Sequence, residues 1–171
     1  MIRTCVAAAL LLAPISATAE GHGGAVSALL KAAEAECRAE AALSGDGAPA
    51  PQLDIRPAAV TWVDLDGDEL KDDAIVDFNA VLCPVAYTLW AGTGGSLIHL
   101  VLDDQTTATF TGGTWQLLTF RHTPVVLIGR HGSYCDSFGA VPCIQAIAAA
   151  DGQFLTPVLN AGPFDWPLTD Q

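Results

Sequence analysis

Four cysteines, Cys37, Cys83, Cys135 and Cys143, constrain this chain more than any other feature. A fifth, Cys5, lies in a segment with the three-part grammar of a secretory signal. Arg3 supplies a positive start, and Cys5 to Leu12 is an apolar run too short to span a bilayer. Pro14 breaks that run, and Ala17-Thr18-Ala19 forms a small-x-small cleavage site before Glu20. The expected organisation is a signal peptide over 1–19 and a single domain over 20–171. Cys5 comes too early for a lipoprotein cysteine, so no membrane anchor is expected. The destination is the periplasm or the medium, where thiols oxidise.

Four cysteines in that setting read as two disulfides, with three possible connectivities. The short spacing of Cys135 and Cys143 closes one local loop, which leaves Cys37 with Cys83. The chain-entropy model gives the short loop about 2.5 kcal/mol and the long one about 4 kcal/mol. A zinc site on His131, Cys135 and Cys143 is the competing arrangement, although its spacing matches no standard zinc signature.

Removing Arg3 from the seven basic side chains leaves six against 19 acidic ones, a formal charge of −13. Such a surface argues against nucleic acid and anionic membranes, which need basic patches. It suits metal cations or a basic protein partner.

Residues 25–43 are rich in Ala, Leu, Glu and Lys, with neither Pro nor Gly, and so predict a helix. Val26, Leu29, Leu30, Ala33 and Cys37 fall on one stripe at helical spacing. Residues 44–57, with Gly, Asp and three prolines, read as a linker. Strands are expected over 58–63, 74–78, 85–90, 96–102, 106–110, 114–120, 125–129, 143–149 and 153–156. Hairpins are expected at Gly92-Thr93-Gly94-Gly95, at Gly112-Gly113 and at Asp151-Gly152. Residues 157–171 read as an irregular tail whose Pro163-Phe164-Asp165-Trp166 packs back onto the sheet. The fold class is α+β, an N-terminal helix packed on an antiparallel β meander. A β-sandwich with one bracing helix is the alternative.

The most specific motif is Asp64-Leu65-Asp66-Gly67-Asp68-Glu69-Leu70-Lys71-Asp72-Asp73. Carboxylates at relative positions 1, 3, 5 and 9, with the Leu70 carbonyl at position 7, suit a hard cation that takes six or more oxygens. Without a cation, six acidic side chains in ten residues have only Lys71 to relieve them. Glu69 and Ile75 stand where an EF-hand has Gly and Glu, and a β-run follows, so the loop is not an EF-hand.

Residues 63–78 resemble the calcium loop of FG-GAP/VCBS-type repeats, in which D-x-D-G-D-x-x-x-D leads into a short apolar strand. That resemblance implies calcium on Asp64, Asp66, Asp68, the Leu70 carbonyl and Asp72, in an extracellular setting. It covers one copy and does not imply a propeller. The wider layout is similar to that of small secreted bacterial proteins, a likeness that implies no activity.

No strong catalytic signature is present. His99 shares a strand face with Leu97 and Val101, as a core histidine does. His131-Gly132-Ser133 opens the disulfide loop, and His131 and Ser133 are the catalytic candidates. There is no G-x-S-x-G, H-E-x-x-H or phosphate-binding glycine loop. Cleavage after Ala19 would begin the chain Glu20-Gly21-His22. There the α-amine, two backbone amides and the imidazole could hold copper or nickel in a square plane. Two functions are left open. One is a calcium-organised binding or interaction module of the bacterial cell envelope, inhibitor-like, for a basic envelope or extracellular protein. The other is a small secreted hydrolase using the His131/Ser133 loop.

Overall fold

The helical stripe closes into one helix, α1, at Gly24–Ser44. In the computed structural model, residues 23–44, 51–139, 141 and 143–156 are described. The signal segment and the Pro163–Trp166 tail motif lie outside them. Eleven strands follow α1 among the described residues: β1 (Asp54–Ile55), β2 (Val60–Val63), β3 (Asp73–Asp77), β4 (Val81–Leu82), β5 (Ala91–Gly92), β6 (Gly95–Leu102), β7 (Thr106–Gly112), β8 (Thr114–Phe120), β9 (Thr123–Arg130), β10 (Cys143–Ala150) and β11 (Gln153–Leu155). The described residues therefore combine one α-helix with antiparallel sheets.

The first large sheet runs β2-β3-β6-β5, with β7 paired along β6. The second runs β11-β10-β9-β8. Strands β1 and β4 form a separate two-stranded ladder. Alternation along the strands makes two apolar clusters. Ile75, Ile98, Leu100 and Leu102 of the first sheet meet Val126, Ile128 and Ile147 of the second. The opposite side of the first sheet, with Ala74, Val76 and Val101, packs against Val26 and Ala33 of α1. Five consecutive buried residues from Ile98 to Leu102 follow, because β6 is covered on both faces.

Three ties hold α1 in place. Cys37 is bonded to Cys83. The Trp90 indole N–H donates to Glu36 Oε2 at 2.7 Å. At the other end of α1 the Asp104 carboxylate accepts the Gly24 and Ala25 N–H groups at 2.8 and 2.6 Å, satisfying donors that a helix start leaves unpaired.

Several expectations from the sequence are corrected. Residues 85–90 are successive turns rather than a strand. Ala86 N–H bonds to the Cys83 carbonyl, Leu89 N–H to that of Ala86, and Ala91 N–H to that of Thr88. Only Ala91 and Gly92 pair with β6 across the glycine turn. The expected linker over 44–57 includes the two-residue strand β1. The Gly112-Gly113 pair is not a hairpin, since β7 pairs with β6 and β8 with β9. It carries the chain from one sheet to the other. A Cβ on Gly112 would collide with the Ile128 side chain and the Gly129 carbonyl, so glycine is needed for close approach rather than for a turn. The Asp151-Gly152 hairpin forms as expected, with both residues at positive φ.

Candidate functional site

The acidic loop joins β2 to β3 at one end of the first sheet, and its turns are built by its own carboxylates. Asp64 accepts the Gly67 and Glu69 N–H groups at 2.6 and 3.0 Å, through separate oxygens. Asp66 accepts from Asp68 N–H at 3.1 Å, and Asp68 from Leu70 N–H at 2.7 Å. Each carboxylate thus substitutes for a backbone acceptor, which lets a tight polar loop form.

The centre of the site is Asp73, the first residue of β3 and only 1% exposed. One of its oxygens accepts Leu65 N–H at 2.6 Å and the other accepts Asp103 N–H at 2.9 Å. It therefore joins the acidic loop to the turn between β6 and β7. Ligand oxygens of Asp64, Asp66 and Asp73 lie within 4.8 Å of one another, as do those of Asp72, Asp73 and Asp103. Two oxygens that share a cation at about 2.4 Å can be no farther apart than about 4.8 Å, so both groups meet that geometric limit.

Burial raises the pKa of Asp73 above the ordinary carboxylate range, against the two backbone N–H donors that lower it and with Asp66 and Asp103 adding to the rise. Asp66 is raised as well, first by burial and also by the charges of Asp68, Asp103 and Asp64. Among the described residues the ion pairs are Arg38–Glu34 and Arg56–Asp54. Neither reaches the loop, so among the described residues none of its carboxylates is held in an ion pair.

Of the sequence-derived calcium set, Asp64 and Asp66 fall in one carboxylate group and Asp72 in the other. Asp68 belongs to neither group, and Leu70 presents an exposed side chain. Asp73 and Asp103 were not in that set. Asp73 closes the motif but falls outside its alternating ligand positions, and the strand expected from Ala74 starts one residue earlier, at Asp73. Asp103 is thirty residues away, and the pairing of Ala74 with Val101 brings it beside Asp73. A groove of about 380 Å³ flanks the loop on the side of the β8–β9 turn. Asp64, Glu69, Lys71, Trp62, Leu117 and His122 are among its lining residues.

The second candidate loop follows β9. His131 Nδ1 lies 2.7 Å from Ser133 Oγ and also receives the Ser133 N–H at 3.4 Å, capping the single helical turn Gly132–Cys135. The far edge of the ring is packed over Gly139. Among the described residues no carboxylate bonds to the imidazole, so the third member of a Ser-His-acid arrangement is missing there. Cys135 is bonded to Cys143, which leaves no thiolate there for zinc. Arg130 stacks on Tyr134 at 4.3 Å and donates to the Thr111 carbonyl at 3.0 Å, fixing the loop to the first sheet.

The copper or nickel set Glu20, Gly21 and His22 lies outside the described residues. No described helix is long and apolar enough to cross a membrane. No protein-family model, curated protein or solved structure matches the chain.

Proposed function

We propose that the chain is an exported binding module organised by calcium at the loop between β2 and β3. The observation that carries this reading is Asp73. This buried carboxylate belongs to two three-carboxylate groups, each within the span of one cation, and among the described residues no ion pair holds any of them. A hard divalent ion would relieve the mutual repulsion and hold the loop against the β6–β7 turn. The apolar cluster shared by the two sheets, with a second one beneath α1, supports a finer view of the fold, a two-sheet sandwich braced by α1. The groove beside the loop, edged by Asp64 and Glu69, suits a basic segment of an envelope or extracellular protein. A small hydrolase is the second reading, favoured by the 2.7 Å contact of His131 with Ser133.

Calcium titration of the processed protein tests the first reading. A ligand at a hundred times its Kd stabilises the native state by about 2.7 kcal/mol, so the melting temperature should rise relative to a chelated sample. An Asp64→Ala, Asp66→Ala double variant should lose that response, while Asp68→Ala should keep most of it. Neither heat nor a melting shift at millimolar calcium would refute the proposal.

A further inference from the structure

The two sheets present very different outer faces. On the first sheet, α1 covers the apolar part. Beyond its reach β7 turns Thr107, Thr109 and Thr111 to the same side, on the register that pairs Thr109 with His99. Threonine keeps the β-branched shape a strand favours while facing water. The second sheet does not make this change. Its face away from the core carries Leu118 and Phe120 of β8, Val125 and Leu127 of β9, Ile144 of β10 and Leu155 of β11. Leu118, Phe120, Ile144 and Leu155 are 48%, 67%, 58% and 50% exposed. No charged residue occurs on this face in any of the four strands, in a chain of formal charge −12. Thr114, Gln116, Thr123 and Gln153 share the face, which is uncharged and carries more exposed apolar side chains than a solvated sheet needs, and that chemistry suits docking.

We propose that this face is covered by residues 157–171 of the same chain. The described chain leaves the fold at Thr156, one residue past Leu155, whose side chain lies on the face at its edge strand. The segment that follows offers Val158, Leu159, Phe164, Trp166 and Leu168, with two aspartates and no basic residue. Its prolines at 157, 163 and 167 fit an extended strap laid across the strands better than another hydrogen-bonded strand. Four strands are about 14 Å wide, and fifteen residues can reach about 50 Å when extended. The strap is long enough to cross the sheet and return.

The test compares the processed chain with a version ending at Thr156, by hydrogen exchange, sedimentation and binding of a hydrophobic fluorescent dye. The full chain should be monomeric and dye-dark, with amides near 164–168 exchanging at least tenfold more slowly than an unstructured peptide. The shortened chain should bind dye or self-associate, and Phe164→Ala with Trp166→Ala should reproduce that change in the full chain. Ile144→Lys, at an exposed position, should speed exchange in 157–171 without unfolding the protein. This measurement decides the matter even if the shortened chain fails to fold. Amides in 157–171 that exchange at unstructured rates in the full chain overturn the proposal. A dimer that persists after the segment is removed also overturns it, and assigns the face to a second copy of the chain.

Discussion

The two outer sheet faces show how far a strand pattern alone determines its surroundings. Both sheets alternate apolar residues towards the shared core, and both carry apolar residues on the reverse side. On the first sheet the cover is identifiable: α1 is bonded through Cys37–Cys83, capped by Asp104 and held by Trp90 to Glu36. On the second sheet no described element lies over the corresponding residues. Alternation therefore records that a face is to be buried without recording what buries it. The information about the cover lies elsewhere, in a cysteine pair and a turn carboxylate for the first sheet.

The largest break in this contrast should come from the long disulfide. Replacing Cys37 and Cys83 together by alanine removes a link across 46 residues, which the chain-entropy model sets at about 4 kcal/mol. Helix α1 should then exchange its amides faster than β9 and β10, because its docking is weakened while the cluster between the sheets is untouched. Removing the Cys135–Cys143 link, eight residues apart, should cost about 2.5 kcal/mol and leave α1 protected. Denaturant melts and residue-level exchange of both variants provide the check. Equal loss of protection throughout the chain in both would show that the helix-covered face and the core between the sheets unfold as one unit.

A smaller break is available at the start of α1. Asp104→Ala removes the acceptor for the Gly24 and Ala25 N–H groups and should cost about 1 kcal/mol, within the usual range for loss of a capping acceptor. The first turn of α1 should fray while Cys37 keeps the last turns docked, visible as a loss of helical circular dichroism and fast exchange limited to residues near Ser27. Unchanged protection there would mean that packing of Val26, rather than the carboxylate, fixes the helix entry.

Asp104 also marks the limit of what the sequence disclosed. The helix, expected over 25–43, was legible because its apolar stripe from Val26 to Cys37 repeats over about three turns, in a stretch without a breaker. Both disulfides were legible from loop spacing, and the Asp151-Gly152 hairpin from turn chemistry. The turns at Asp103-Asp104 and Arg121-His122 were not. All four residues adopt positive φ without glycine, so the usual punctuation is missing. Gly112-Gly113 misled for the opposite reason, since its glycines serve close packing against Ile128. The candidate site divides in the same way. Asp64 and Asp66 announce themselves by local alternation. Asp103 enters only through the β3–β6 ladder, a pairing between residues that nothing nearby in sequence connects.

The smallest expected effect concerns protons on the covered face. His99 lies there with Leu97 and Val101, its Nδ1 2.9 Å from Thr109 Oγ1 and its Nε2 buried without a partner among the described residues. The Phe78 ring meets it edge-on at 4.8 Å. Burial lowers its pKa below the ordinary histidine value, and the charge of Glu36 on α1 offsets part of that. Between the lowered native value and about 6.5 the unfolded chain binds more protons than the native one, so stability rises with pH across that window. The contribution is fully present above about pH 6.5 and is lost as pH falls towards the native pKa. Asp66 and Asp73 act in the opposite direction at lower pH. Their raised native values mean the folded chain holds protons longer, so acidification from the raised values towards about 3.8 favours it relative to the unfolded chain. An NMR titration of the imidazole should place the His99 midpoint below 6.5, and in the Cys37→Ala, Cys83→Ala variant the midpoint should move upward as α1 loosens and water reaches the ring. The outer face of the second sheet carries no titratable side chain, so its amides should show no transition of their own between pH 5 and 8. A His99 midpoint that ignores the loss of the disulfide would mean that Phe78 and Thr109, and not the helix, keep the imidazole dry.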